Sequence, residues 1–534
     1  MPVAAVTSPI EVELKFLVPT AARKQLAAEV ARGSTALART SLSAMYLDTA
    51  DRRLARHGMA WRLRREGRRW IQALKSGGAN ALERFEHEVV RPDASHDASE
   101  HAGTPLGDQL IAVLRKAHAE GVEPEVRFHT LVRRTARKVR TRGAVVEIAF
   151  DEGRLVAAGS TLRICEIEFE LVSGSTVAML ALAERWRKRF GLVYEPHSKA
   201  ERGDRLAGGT AFAPVRRAKL PTYHSKVTAI EAFGAVLDEC LAQITRNAVG
   251  LAHGDPAQRV EHIHQVRVGI RRLRSALRSF RAWVPAPPGD LIEGLRALFV
   301  TLGQSRDSDV LNSGVAAELA KVGNAPPLKL PSGAAGPDPV QAVVGDETQR
   351  TFLAWIGWRA GLARQAAAGP DVVTSEPLAG DTLAQGDNVP ADAGKAKRLD
   401  RDDAKIFHRN VGRRLRRWHE RIVADWKSFD DLDGPSLHAL RKRIKRQRYA
   451  VEFFTPAVSG RKAGRYLKAL ATIQDRMGEL NDLLVASDRY QALVASDPAA
   501  WFALGWLTAR IAETRGFAKH ELGQLAKVDP PRTS

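Results

Sequence analysis

The hydrophobic pattern of this chain changes its period near residue 207, and this change limits the possible folds more than any other feature. Before it, short segments alternate apolar and charged residues, as in EVELK at 11–15 and EIEFE at 166–170. After about residue 225, long segments rich in alanine, leucine and arginine follow the helical period. Alternation at every second residue indicates strands, whereas spacings of three and four indicate helices. The sequence therefore predicts an antiparallel β barrel or sandwich, with a few helices, followed by an all-α domain.

The composition of two further segments sets the predicted domain boundaries. Residues 207–222 combine glycine, proline and bare charge, and we interpret them as a linker between a strand domain at 8–206 and a helical domain at 223–525. Residues 369–398 are rich in glycine, proline and aspartate and poor in aromatic residues. Such a segment cannot bury enough apolar surface to fold, so it is predicted to be a disordered insertion.

The charge of the chain indicates a polyanionic partner. Its 82 lysines and arginines exceed its 61 aspartates and glutamates, giving a net charge of +21. Nucleic acid, an acidic membrane surface and a phosphate polymer all remain possible on this ground. The chain lacks a long apolar run and a secretory signal, so we expect no membrane span and a cytoplasmic location. Two cysteines, Cys165 and Cys240, provide neither a disulfide framework nor a cysteine metal site.

The predicted strands concentrate acidic and basic side chains on single faces. Side chains two residues apart share a face of a strand, which groups Glu11, Glu13 and Lys15; Arg62 and Arg64; Arg84, Glu86 and Glu88; Glu147 and Asp151; and Glu166, Glu168 and Glu170. One such face usually meets solvent, but five of them favour a closed barrel with the charges inside. Buried carboxylates are costly unless they are paired or bind a cation. Oxygen ligands suit Mg²⁺ or Mn²⁺, and the neighbouring cations would then bind phosphates.

These segments resemble the CYTH family, the triphosphate tunnel metalloenzymes. EVELK corresponds to the family's ExExK motif, and YLDTAD (46–51), RLR (62–64), EIAFDEG (147–153), CEIEFEL (165–171) and SKAERG (198–203) follow in the family's order. The resemblance covers residues 8–206. It implies an eight-stranded antiparallel tunnel that cleaves or cyclises triphosphates with a divalent metal, Mg²⁺ or Mn²⁺.

The resemblance also implies a role for each matching residue. Metal-facing roles fall on Glu11, Glu13, Glu86, Glu88, Glu147, Asp151, Glu166 and Glu168. Phosphate contacts fall on Lys15, Arg62, Arg64, Lys75, Arg134, Lys199 and Arg202, with Arg133 and Arg137 as alternatives to Arg134. Catalytic roles are expected for Glu11, Glu13, Lys15 and Lys75, and the carboxylate that acts as general base is left open.

The helical half contains an internal repeat with a basic stripe. HQVRVGIRRLR at 264–274 matches HALRKRIKRQR at 438–448, and LGQSRDSDV at 302–310 matches MGELNDLLV at 477–485. At 100° per residue, one helix face collects His264, Arg267, Arg271 and Arg274 in the first copy and His438, Arg441, Lys445 and Arg448 in the second. A single stripe would suit a solvated face. The duplication, together with the absence of acidic partners in the first copy, favours an anion-binding surface.

This half resembles the CHAD family, the conserved histidine α-helical domain, over about residues 225–525. The resemblance implies two copies of a four-helix unit and binding of inorganic polyphosphate by the two stripes. The combination resembles bacterial CYTH–CHAD inorganic triphosphatases, so we expect hydrolysis of inorganic triphosphate in the tunnel. The alternatives are a non-catalytic polyphosphate scaffold and a tunnel enzyme for an organic triphosphate, of the adenylate cyclase or thiamine triphosphatase type. Sequence-specific nucleic-acid binding is not expected, because no reading motif is present.

Overall fold

A computed structural model describes residues 10–32, 37–224, 227–313, 315–323, 326, 336–368, 403–458 and 460–533 of the chain. The predicted insertion at 369–398 lies outside these residues.

Eight strands close into an antiparallel barrel in the first domain. They are β1 (Ile10–Leu17), β2 (Ala38–Thr49), β3 (Met59–Glu66), β4 (Arg69–Gly77), β5 (Glu83–Arg91), β6 (Pro124–Thr141), β7 (Ala144–Ala157) and β8 (Ser160–Gly174). Their order around the barrel is β1-β5-β4-β3-β2-β6-β7-β8, and β8 pairs again with β1. A two-residue strand, β9 (Val193–Tyr194), adds to the end of β1. The predicted eight-stranded tunnel is confirmed.

The alternation of the strands explains why the barrel has a charged interior. On β1, β7 and β8 the apolar positions face outward and are fully buried, as Phe16, Ile148 and Phe169 show. Five helices surround the barrel, namely α1 (Arg23–Ala31), α2 (Arg53–Arg56), α3 (Pro105–Ala119), α4 (Thr176–Phe190) and α5 (Lys199–Ala207). The outward apolar residues pack against α1, through Leu26 and Val30, and against α4, through Met179 and Leu182. Because the apolar faces point out, the charged faces must point into the tunnel.

The second domain consists of helices. They are α6 (Ala229–His253), α7 (Arg259–Phe280), α8 (Gly289–Ser313), α9 (Val315–Leu319), α10 (Pro339–Val344), α11 (Asp346–Ala368), α12 (Asp403–Lys427), α13 (Gly434–Phe454), α14 (Gly460–Leu493) and α15 (Ala500–Ala526). The long helices α6, α7, α8 and α11 form one unit, and α12 to α15 form the second. Among the described residues, no helix is both long and apolar enough to cross a membrane.

The two domains pack directly on each other. Leu353, Ile356 and Ala360 of α11 belong to the same hydrophobic core as the outer faces of β1, β7 and β8. Arg187 of α4 pairs with Asp346 at the start of α11, with an Nη2–Oδ1 distance of 2.7 Å. The barrel therefore uses a helix of the second domain as part of its apolar cover.

Candidate active site and basic helical surface

A cavity of about 1280 Å³ runs through the barrel interior and extends to α6, and charged side chains make up much of its lining. Most of the residues predicted for the tunnel line it, namely Glu11, Glu13, Lys15, Arg62, Arg64, Lys75, Glu86, Glu88, Arg134, Glu147, Glu168 and Lys199. The other three, Asp151, Glu166 and Arg202, are buried behind this lining. The strand register, together with the position of α5, therefore places the predicted set at or directly behind the cavity wall.

A first cluster of carboxylates lies on β7 and β8. Oxygen atoms of Asp151, Glu166 and Glu168 all lie within 4.8 Å of one another. Lys199, at the first position of α5, places its Nζ 2.7 Å from Asp151, 2.5 Å from Glu166 and 2.8 Å from Glu168. Arg134 binds Asp151 through two hydrogen bonds of 2.7 Å each and Glu168 through one of 2.6 Å. Two cations thus hold the three carboxylates together.

These contacts keep Glu166 and Glu168 ionised although both are buried. Burial raises the pKa of a carboxyl group, but Lys199, Arg134 and Lys15 hold the pKa of Glu168 well below its usual range. Burial is likewise outweighed at Glu166, where Arg202 and Lys199 lower the pKa. Arg202 forms a buried ion pair with Glu166 from the second turn of α5. The Ser198 capping box, with Glu201 as its third helical residue, fixes the start of this helix and so positions both cations.

A second cluster lies across the tunnel on β1, β4 and β5. Lys75 Nζ contacts Glu86 directly and lies 3.6 Å from an oxygen of Glu11. Burial and a hydrogen bond to Glu86 raise the pKa of Glu11 to about 9. Burial opposes ionisation at Glu86 as well, yet Lys75 and the bond from Glu11 hold its pKa well below the usual range. Glu11 and Glu86 therefore share one proton at neutral pH, and Lys75 balances the remaining charge.

Two arginines on β3 extend this second cluster. Arg62 Nη2 lies 3.2 Å from Glu86 and 3.5 Å from Glu88, and Arg64 Nη2 lies 3.2 Å from Glu88 and 2.5 Å from Glu66. Strand β4 pairs with both β3 and β5, and the register of these pairings brings the arginines of β3 near the carboxylates of β5. The arginines are mostly buried, with 12% and 13% of their side chains exposed. Both guanidinium groups are therefore held at the tunnel wall.

The remaining predicted residues lie between the two clusters. Glu13 is 3.4 Å from Arg84 on β5, and Lys15 donates a 2.5 Å hydrogen bond to the carbonyl of His197. Glu170 faces Glu13 and Glu147 across strand pairs, and burial together with Glu147 raises its pKa to about 7. The carboxylates at this point of the wall repel one another, and a bound cation would relieve this repulsion.

The first cluster has the chemistry of a divalent metal site. Its three donors are carboxylates, the oxygen ligands that Mg²⁺ and Mn²⁺ prefer. Glu166 Oε1 is buried and accepts no hydrogen bond of good geometry, although Lys199 Nζ lies 2.5 Å away. A buried carboxylate oxygen with spare acceptor capacity is suited to a cation, so the residues present fit such a metal.

Sequence reasoning missed several tunnel residues. Tyr46 lines the cavity and stacks on Phe128 with ring centroids 4.4 Å apart. It lies in the YLDTAD segment, but the search for charged strand faces, which identified the other tunnel residues, does not select a tyrosine. Arg246 of α6 also borders the cavity and pairs with Glu201 at 2.7 Å. No sequence pattern connects a residue of the helical domain with the tunnel, because their proximity depends on domain packing.

The basic stripes of the helical domain lie on α7 and α13, which contact each other. Burial, with the neighbouring charges of Arg441 and Arg271, lowers the pKa of Lys445 to about 8. Arg271 belongs to the first repeat and Lys445 to the second, so the two stripes converge on one surface. Three cations that repel one another, with Asp482 as a nearby acid, favour an anion at this place.

The two repeats give matching arginines of the stripes similar surroundings. Arg267 lies over the ring of Phe299 at 4.8 Å. A side chain at Gly303 would approach the Arg267 guanidinium at 3.2 Å, and one at Gly478 would approach that of Arg441 at 3.9 Å. The repeated glycines of LGQSR and MGELN thus leave room for matching arginines.

The outer members of the stripes have different surroundings. Arg274 is exposed, and His438 Nδ1 lies 3.3 Å from Asn481 Oδ1. Arg448 is bound by Glu452, with an Nε–Oε1 distance of 3.0 Å. Glu452 also forms a buried ion pair with Arg272 of the first repeat, which the sequence did not single out. His264 lies on α7 and is half-buried.

The fold and the site define a closed charged tunnel joined to a helical domain with a converged basic surface. Residues 9–203 match the CYTH domain family and residues 235–491 match the CHAD domain family. The chain therefore contains a CYTH domain followed by a CHAD domain, and the resemblance predicted from the sequence is confirmed.

Individual relatives are more distant. An inorganic triphosphatase of Haemophilus influenzae is 29% identical over 163 residues, which make up 30% of this chain and 44% of the relative. The match thus spans less than half the length of that relative. The CHAD domain of the plant Ricinus communis has 28% identity and a TM-score of 0.42, covering 60% of this chain and 99% of that domain. A putative adenylyl cyclase from Hippeastrum, described as having a dominant triphosphatase activity, has 18% identity and a TM-score of 0.26, covering 35% and 92%.

Replacement of Asp151 by asparagine should weaken binding of Mn²⁺, because it removes one of three clustered anionic donors. We expect a loss of about ten- to a hundredfold in affinity, measured by titration calorimetry on the full chain. Glu152→Gln is the matched control, since Glu152 is the next residue of β7 and pairs on the outer face with Arg23 and Arg133. Equal Mn²⁺ affinities of both variants would contradict a metal site at this cluster.

Proposed function

We propose that the tunnel hydrolyses inorganic triphosphate in a reaction that depends on Mg²⁺ or Mn²⁺. The observation that carries this proposal is the coexistence, in one closed cavity, of clustered carboxylates and of several fixed cations. A receptor that only bound anions would gain nothing from buried carboxylates, which repel its ligand. The name of the Haemophilus influenzae relative, which matches part of this chain, supports the same activity.

The basic residues of the wall bind and orient the substrate. Arg62 and Arg64 are held at the wall by Glu86 and Glu88, so their donors are preorganised for phosphate oxygens. Arg134, Lys199 and Lys75 occupy facing parts of the cavity. A triphosphate that lies between the two clusters would meet cations on both sides, and these would stabilise the charge that develops on the leaving pyrophosphate.

Asp151, Glu166 and Glu168 would hold the metal ion, with Glu11, Glu13, Glu86, Glu88 and Glu147 as the further acidic residues that face the cavity. A bound divalent ion supplies charge neutralisation for the phosphate oxygens and lowers the pKa of water. Lys199 and Arg134 form ion pairs with these carboxylates in the structure, and they would then be available to bind phosphate.

Lys75→Ala should lower kcat/KM for tripolyphosphate by about two to four orders of magnitude, because it removes a cation that would contact charge in the transition state. The assay measures phosphate release by the full chain with Mg²⁺ or Mn²⁺. Lys24→Ala on the outer helix α1 removes the same charge from an exposed position and serves as the control. A kcat/KM that is the same for both variants would show that Lys75 does not take part.

We further propose that the converged surface of α7 and α13 binds inorganic polyphosphate. The proximity of Arg271, Arg441 and Lys445 carries this proposal, since a flexible polyanion can contact all three at once. The mutual repulsion that depresses the pKa of Lys445 would be relieved by a bound anion. Such binding needs no metal and should weaken steeply as salt concentration rises.

Replacing Arg441, Lys445 and Arg448 together by alanine should weaken polyphosphate binding by the metal-free full chain at least about tenfold. Replacing Arg267, Arg271 and Arg274 together should have a similar effect, because both stripes form one surface. The measurement is the dissociation constant for long-chain polyphosphate, with duplex DNA as competitor at physiological salt.

The control for this prediction is the triple change Arg461→Ala, Lys462→Ala and Arg465→Ala. It removes the same kinds of charge from exposed positions at the start of α14, about 30 Å along that helix from Asp482. If all three triple variants lost the same affinity, or if DNA bound as tightly as polyphosphate, only a diffuse basic surface would remain.

A further inference from the structure

One end of the tunnel opens against the helical domain. Strands β2 and β4 end there and β3 and β5 begin there, so the turn at residues 77–81 forms part of the rim. The cavity continues past this rim and is bounded by linker residues 214–219 and by α6. Arg359 of α11 donates a 3.1 Å hydrogen bond to the carbonyl of Ala79, which fixes the helical domain to the rim. We call this opening the junction mouth.

The backbone of the linker is held in place at the junction mouth. Asn247 of α6 accepts a 3.1 Å hydrogen bond from the Arg216 amide and donates a 2.8 Å bond to the Arg216 carbonyl. Arg272 of α7 donates a 3.1 Å bond to the carbonyl of Lys219. Since these bonds use backbone groups of the linker, its position does not depend on the side chains of Arg217 and Lys219.

The linker presents cations to the cavity. Arg216 is paired with Glu239 at 2.6 Å, but Arg217 and Lys219 are exposed and form no ion pair with any residue in the described part of the chain. Arg205 of α5 also lines the cavity, and no ion pair joins it to a carboxylate in the described part of the chain. Unpaired cations contrast with the tunnel interior, where each arginine of the wall has a carboxylate partner.

A ligand for these cations must extend out of the barrel. A linear chain of phosphates that extends from the tunnel through the junction mouth would meet Arg217 and Lys219, which line the part of the cavity outside the barrel. We propose that the junction mouth is a distal subsite that binds the phosphate units of linear polyphosphate beyond those inside the tunnel. This inference rests on the proposed triphosphatase function and makes the linker a determinant of chain-length preference.

The test compares substrates of different length in the full-length double variant Arg217→Gln and Lys219→Gln. The measured quantity is kcat/KM for tripolyphosphate and for linear polyphosphates of increasing length, or the inhibition constant where a chain inhibits without being cleaved. We expect the values for longer chains to worsen about tenfold while tripolyphosphate changes by less than about twofold. The control is Arg185→Gln with Lys188→Gln, which removes the same charges from exposed positions on α4.

Three outcomes would overturn the subsite: no dependence on chain length in the parent protein, no change in the double variant, or an equal loss for all chain lengths. Failure of the proposed function has a different signature, because the parent protein would then not hydrolyse tripolyphosphate at all. In that case the affinities of the same variants for tripolyphosphate and for longer chains are measured directly. A loss of affinity that is confined to the longer chains supports the subsite, and an equal loss for all lengths contradicts it.

Discussion

The compensation of buried charge inside a closed barrel is the interaction on which the rest of this structure depends. Moving an ion from water into a protein interior costs several kcal/mol even after relaxation. Lys199 offsets this cost for three carboxylates at once, and Arg134 binds two of them. Across the tunnel, Lys75 and a shared proton offset the cost of burying Glu11 and Glu86. The interior is stable only because acids and bases alternate along its wall, and the proposed binding of a metal and of phosphates would use the same groups.

The charged interior also determines how the rest of the chain is arranged. With the polar faces turned inward, the barrel must cover apolar residues such as Phe16 and Phe169 on its outside. α4 covers part of this surface, and α11 of the helical domain completes it. The CHAD domain is therefore fixed at one end of the tunnel, where the linker and α6 border the cavity. The proposed distal subsite follows from this packing, since neither domain alone would form it.

Much of the fold was predictable from the sequence, because strand alternation decides which face each residue occupies. The grouping of Glu166, Glu168 and Glu170 opposite Ile167 and Phe169 needs no more than a period of two, and the ExExK resemblance supplied closure into eight strands. The individual partners were not predictable, because they depend on register and on helix placement. Lys199 was expected at phosphate, yet the structure places it among carboxylates. Arg272 and Glu452 join the two helical repeats without any local signal, and Arg246 reaches the tunnel only through domain packing.

The most direct test of the account is phosphate release by the full-length protein from tripolyphosphate, ATP and thiamine triphosphate, measured side by side with Mg²⁺, with Mn²⁺ and with a chelator. The account predicts rapid release from tripolyphosphate with a divalent metal, much slower release from the two organic triphosphates, and none with the chelator. Comparable rates with the chelator, or a clear preference for an organic triphosphate, would contradict a metal-dependent inorganic triphosphatase.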